Sequence, residues 1–177
     1  MSSLQSFVVT VLGPDRPGLV EAISSAVASQ GGNWVESRLA RLAGQFAGVI
    51  RVEGLPANTP RLEGALRELP GLDIVVHPVS SEPERQPCRV LALELIGPDR
   101  PGIVREVFRA ISALNINVDE LETECTSAPW TGEPLFKAKA RLALESATSL
   151  DQLRQDLDSV ARELTLEIDL IEDPSGS

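Results

Sequence analysis

The apolar positions of this chain change period several times in each half, and the two halves change in step. Phe7-Val8-Val9-Thr10-Val11-Leu12 is a dense apolar run that reads as a strand over 4–12. Beyond Gly13–Gly18, Leu19, Ile23, Ala26 and Val27 recur at helical spacing, which predicts a helix to about Gln30, stopped by Gly31-Gly32. Asn33–Leu42 and Phe46–Val52 alternate as two strands around an Ala43-Gly44-Gln45 hairpin turn. Leu62, Ala65, Leu66 and Leu69 place a second helix over Pro60–Leu69. Pro70-Gly71 ends it, and Leu72–Val79 is a fourth strand. The order is βαββαβ.

The second half repeats it. Cys88–Ile96 is a strand, and Pro101–Leu114 a helix with Ile103, Val107, Ile111 and Leu114 on one stripe. Asn117–Thr126 and Leu135–Leu144 are the hairpin strands, joined by a longer loop, Ser127–Pro134. Ser149–Leu164 is the second helix, with Ser149 as its N-cap, and Thr165–Ile171 is the last strand. Residues 80–87 (SSEPERQP) are polar and proline-rich and read as a linker. The expected domains are therefore 1–79 and 88–172, with a tail at 173–177. The fold class is α+β: two ferredoxin-like βαββαβ domains, each a four-stranded antiparallel sheet with two helices on one face. Thr10, Glu94, Glu167 and Asp169 give the other sheet face a mixed character.

The halves share more than a pattern. GPDRPG occurs at Gly13–Gly18 and again 84 residues later at Gly97–Gly102, and Asn33 matches Asn117 at the same offset. This internal duplication suggests a pair of equivalent ligand sites, not one catalytic centre. The first glycine permits a tight exit from the strand. Asp15 and Asp99 are expected to accept hydrogen bonds from amides at the helix start, and Pro17 and Pro101 to set φ for the first helical turn. Gly18 and Gly102 let another group approach the backbone. Open amides there, with the helix dipole, attract a carboxylate such as an amino acid carries. Asn33 and Asn117 offer a carboxamide that donates and accepts, suiting an amino group and a carboxylate together. A strand-to-helix turn with no ligand explains the string as well. Both readings stay open, although the string and the asparagine persist where the rest of the repeat has diverged.

Composition narrows the classes. Of 177 residues 42% are hydrophobic, so a globular chain is expected, with cores of Leu, Val, Ile and Ala because tyrosine is absent and aromatics are 3%. A net charge of −10 with two lysines, Lys137 and Lys139, argues against direct nucleic-acid binding, though not against action on a DNA-binding protein. Cys88 and Cys125 read as reduced thiols of a cytoplasmic protein. No signal peptide, membrane span, metal pattern or cofactor motif is seen. His77, the one histidine, finds no catalytic partner, so no enzyme is expected. Trp34 and Trp130 read as packing and loop residues; edge strands make a homodimer plausible.

Both halves resemble ACT domains, the βαββαβ modules that sense small molecules in amino-acid metabolism. LGPDRPGLV, Asn33, then Ser37-Arg38-Leu39-Ala40-Arg41-Leu42 and Phe46 resemble the glycine cleavage system transcriptional repressor group of tandem-ACT proteins. The turn string also resembles ACT segments of formyltetrahydrofolate deformylases and some phosphoserine phosphatases. The resemblance implies a small amino acid, glycine first, bound between ACT modules, and a DNA-binding transcriptional regulator as partner. It implies contacts from Gly13, Asp15, Arg16, Pro17, Gly18, Leu19 and Asn33, and from Gly97, Asp99, Arg100, Pro101, Gly102, Ile103 and Asn117. Glu122 stands where the first half has Arg38, so the two sites should not be equivalent. The rival expectations are a ligand-free ACT-type interaction module and a deformylase-like fragment.

Overall fold

The computed structural model describes residues 4–54, 56–79, 88–145 and 148–172. The expected linker and tail lie outside these. The chain divides into two compact units, Met1–Pro83 and Glu84–Ser177.

The first unit runs β1 (Gln5–Pro14), α1 (Leu19–Ser29), β2 (Asn33–Leu42), β3 (Gln45–Gly54), α2 (Thr59–Arg67) and β4 (Asp73–Val79), with a short 3-10 turn at Pro56–Asn58. Its sheet is antiparallel throughout, in the order β2-β3-β1-β4. Alternation decides which face is covered. Val9 and Val11 of β1 are buried with Ile50 and Val52 of β3, against Leu19, Ile23 and Val27 of α1 and Leu62 and Leu66 of α2, and Phe7 of β1 is buried too. Ala43 and Gly44 make the two-residue hairpin turn, and both are left-handed, φ 50 and 78°, as the twist of a tight hairpin demands.

The second unit repeats this with β5 (Cys88–Pro98), α3 (Ile103–Ala113), β6 (Asn117–Ser127), β7 (Pro134–Glu145), α4 (Leu150–Leu164) and β8 (Glu167–Glu172), in the order β6-β7-β5-β8. Its core joins Leu91, Leu93, Leu95, Leu142 and Leu144 to Ile103, Val107 and Ile111 of α3 and Leu153 and Leu157 of α4. Ser149 caps α4, its side chain accepting from the Gln152 amide at 3.2 Å.

The open sheet faces differ. Register sets Arg38, Val49, Thr10 and Val75 in one row of the first unit, but Glu122, Lys139, Glu94 and Asp169 in the second. There Lys139 and Glu94 pair at 2.8 Å, and that contact raises the lysine pKa.

Three local expectations are corrected. The helices after the turns begin at Leu19 and Ile103, so Pro17 and Pro101 precede the cap instead of opening the helix. The caps are Gly18 and Gly102 themselves, at φ 86 and 97°, which no helical residue adopts. Asp15 and Asp99 are therefore not the N-caps. Nor is the leading glycine a device for positive φ. Gly13 and Gly97 lie inside strands, where a Cβ would come within 2.3 Å of Gly71 O and 2.5 Å of Leu166 Cδ2. Close approach is what excludes a side chain at those two positions.

Candidate functional site

Each GPDRPG turn divides by residue into an anchored half and an open half. On the anchored side, Gly13 backs against the α2–β4 corner, and Arg16 donates through Nη2 to Pro70 O at 3.1 Å. In the second unit Gly97 backs against Thr165 and Leu166, and Arg100 donates to Glu163 O at 3.1 Å. On the open side, a Cβ at Gly18 or Gly102 would meet nothing within 4 Å. Neither cap supplies a side-chain acceptor to the first-turn amides of its helix. Leu19 and Ile103, the first helical residues, are buried and fix that end of each helix on the core. The result is a helix start, exposed at its mouth, whose first-turn amides receive no side-chain cap and which carries the positive end of a dipole.

The structure does not bring the asparagines to the turns of their own units. Asn33 is level with Glu53 and hence with Ser6, whereas Gly13 is level with Phe46. Seven residues of strand separate those levels, about 23 Å at 3.3 Å per residue. Asn117, level with Ala143 and Val90, is equally far along β5 from Gly97, and its amide donates to Asp119 Oδ1 at 2.7 Å. Within one unit, turn and asparagine do not share a site.

What does stand at the turn is the far end of β2 or β6. Arg41 pairs with Phe46, which pairs with Gly13. Its Nε sits 2.8 Å from Asp15 Oδ2, and the Asp15 amide donates to Gly44 O at 2.9 Å. Cys125 holds the same place in the second unit, across from Phe136. Loss of surrounding water, then the nearby Asp99 carboxylate, pushes its thiol pKa up. The sequence reading attached no role to Arg41 or Cys125. The signal was the two-residue hairpin turn, which sets the register that carries Arg41 to the mouth.

The helix starts also differ. Glu21 lies in the first turn of α1. In α3 Arg105 takes the corresponding place, bound to Glu106 at 2.7 Å, and this bond holds the Glu106 carboxyl below its usual range. A groove of about 540 Å³ opens at the α4–β8 corner, lined by Asp158, Arg162, Thr165 and Glu167 around Leu166, the residue that meets Gly97. Trp34 is half-buried on the first core, and Trp130 stands 97% exposed on the β6–β7 loop. Among the described residues no cluster of His, Cys, Asp and Glu has metal-holding geometry, and no helix is long and apolar enough to cross a membrane.

Comparison with known proteins matches these two units one by one. An ACT-domain family model matches residues 5–76, and another matches 92–161. The chain is 27% identical over 157 residues to the "Glycine cleavage system transcriptional repressor" of Escherichia coli (strain K12), spanning 85% of this chain and 80% of that one, and equally to the protein of that name from Shigella flexneri. A crystal structure of an unknown protein from Galdieria sulphuraria superposes with a TM-score of 0.88 at 34% identity, covering 97% of this chain and 99% of that one.

Proposed function

The chain belongs to the ACT-domain family, as two modules in tandem, and from that premise we propose that it is a non-enzymatic regulator that senses a small amino acid. The observation that carries the reading is the pair of glycine-capped helix starts, each with amides that its cap does not satisfy, in a chain related along most of its length to a glycine cleavage repressor. The ligand carboxylate takes the amides that follow Gly18 or Gly102. Glycine is the first candidate. The two turns bind unequally, because Asp15 faces a guanidinium and Asp99 a thiol.

The regulated partner is a DNA-binding protein. With a net charge of −10 the chain is a poor ligand for DNA itself, and the exposed Trp130 supports contact with another protein in the cytoplasm. For binding to act as a switch, the amino acid must prefer one of the partner-free and partner-bound states.

Calorimetric titration of the full chain with glycine, serine and alanine tests the reading. A saturable heat, matched by a rise in melting temperature with ligand concentration, is expected. Absence of both across the three amino acids would leave a ligand-free interaction module. Hydrolysis of formyltetrahydrofolate by the pure protein, lost in Asp99→Asn, would make it an enzyme.

A further inference from the structure

In both units the turn arginine is occupied by its own protein. Arg16 donates to Pro70 O in the turn just beyond α2, and Arg100 to Glu163 O in the last turn of α4, both at 3.1 Å. The leading glycine of each string packs on the same corner, Gly13 against Gly71 O and Gly97 against Thr165 O. Each corner carries a left-handed residue, Gly71 at φ 76° and Thr165 at φ 55°. That kink turns a carbonyl towards the strand, where only a glycine allows it this close. Packing and a charge-assisted hydrogen bond thus tie the same two places together, twice, in units whose second helices differ in length and sequence.

We propose that Arg16 and Arg100 are positioning residues: each clips its turn to the end of its unit's second helix, so that helix cap and corner form one element. The resemblance to sensing modules implies a ligand contact for these arginines; the geometry assigns the guanidinium to a carbonyl of its own unit instead. An exposed arginine that only met ligand would be free in the ligand-free chain. The inference concerns that ligand-free protein and does not require that an amino acid binds.

Amide hydrogen exchange of the ¹⁵N-labelled full chain, without ligand, tests it in Arg16→Ala, Arg100→Ala and Arg16→Lys. Loss of one net hydrogen bond should speed exchange about five- to tenfold at the amides around the clip. For Arg16→Ala these are Asp15, Ala22 and Leu69, whose partners are Gly44, Gly18 and Leu66. For Arg100→Ala they are Asp99, Glu106 and Leu166, bonded to Pro134, Gly102 and Ala161. Each variant should leave the other unit's set, and the core amides of Val9 and Ile50, at wild-type rates. Lysine at 16 can still donate to Pro70 O and should restore part of the protection. Wild-type exchange at Asp15, Ala22 and Leu69 in Arg16→Ala would overturn the clip, and a lowered glycine affinity alongside it would return the arginine to the ligand. Acceleration spread evenly through Val9 and Ile50 would reduce it to general stabilisation.

Discussion

Alanine at Gly13 and alanine at Gly18 should be damaging for different reasons and by different amounts, though the two glycines bracket one six-residue string. At Gly13 the added methyl lands 2.3 Å from Gly71 O and 2.8 Å from Leu72 Cδ2. The carbonyl is main chain and cannot swing aside, so β1 and the α2–β4 corner must separate. Overpacking of that kind costs about 1–3 kcal/mol, and contact with backbone puts this case at the upper end. At Gly18 the methyl enters open space, and only the backbone objects. An alanine held left-handed costs about 1–2 kcal/mol, of which about 0.4–1 kcal/mol returns through the stiffer unfolded chain. Gly13→Ala should thus lose about 2–3 kcal/mol and Gly18→Ala about 0–1.6 kcal/mol. Trp34 packs on the first core, whereas Trp130 is exposed, so a Trp130→Phe background makes fluorescence in urea a reporter of the first unit. At about 4–8 °C per kcal/mol for a unit of this size, thermal melts should separate the two variants clearly. Glycine-induced stabilisation should survive poorly in Gly18→Ala, whose methyl occupies the mouth. Equal losses, or a larger loss at Gly18, would refute the division of the string into an anchored and an open half.

Three further outcomes are expected. Ser149→Ala should cost about 1 kcal/mol by removing the acceptor of the Gln152 amide, measured as a lower urea midpoint for the second unit followed by NMR. Cys125 should alkylate more slowly than an ordinary exposed thiol near neutral pH, because a raised pKa leaves less thiolate at any given pH; the pH profile of iodoacetamide labelling should move down in Asp99→Asn. Ile50→Ala, at a fully buried position of β3, should cost about 2–5 kcal/mol in the Trp34-reported transition.

Periodicity carried the fold because most strands alternate regularly and the helices carry regular apolar stripes, the interruptions being single register shifts in β2 at Trp34/Glu36 and in β6 at Val118/Glu120. Val9, Val11, Ile23, Val27 and Leu66 are inward by spacing alone, and they are inward in the structure. β2 was legible at both ends, Asn33 and Leu42, because Gly32 and the Ala43-Gly44 turn bound it. The turn itself was misread for a physical reason. A glycine before a helix can serve φ or proximity, and nothing in six letters says which. Only the neighbouring corner shows that Gly13 answers to Gly71 O while Gly18 answers to its own φ. The asparagines failed similarly. Sequence order places Asn33 soon after the helix, but α1 carries the chain back along the sheet, so the residue emerges at the far end. Arg41 was missed because its place depends on register across three strands.

Most of the identity between the two copies of GPDRPG has a structural cause. The leading glycine is required by the corner carbonyl, the arginine by the clip, and the last glycine by a left-handed cap, in both units and without any ligand. The aspartate is different. Asp15 holds Arg41 across a hairpin rim, whereas Asp99 has Cys125 as its neighbour, so the same acid keeps its place while its neighbour changes from a cation to a thiol. A structural ion pair would lose its acid when its base is gone, since an exposed pair contributes only about 0–1 kcal/mol and the unpaired carboxylate nothing. Retention beside Cys125 therefore points to a duty that neither partner explains. The glycine-capped amides remain the feature on which the sensing reading rests, and the aspartate is the residue of the string whose retention in both units the ion pair alone does not explain.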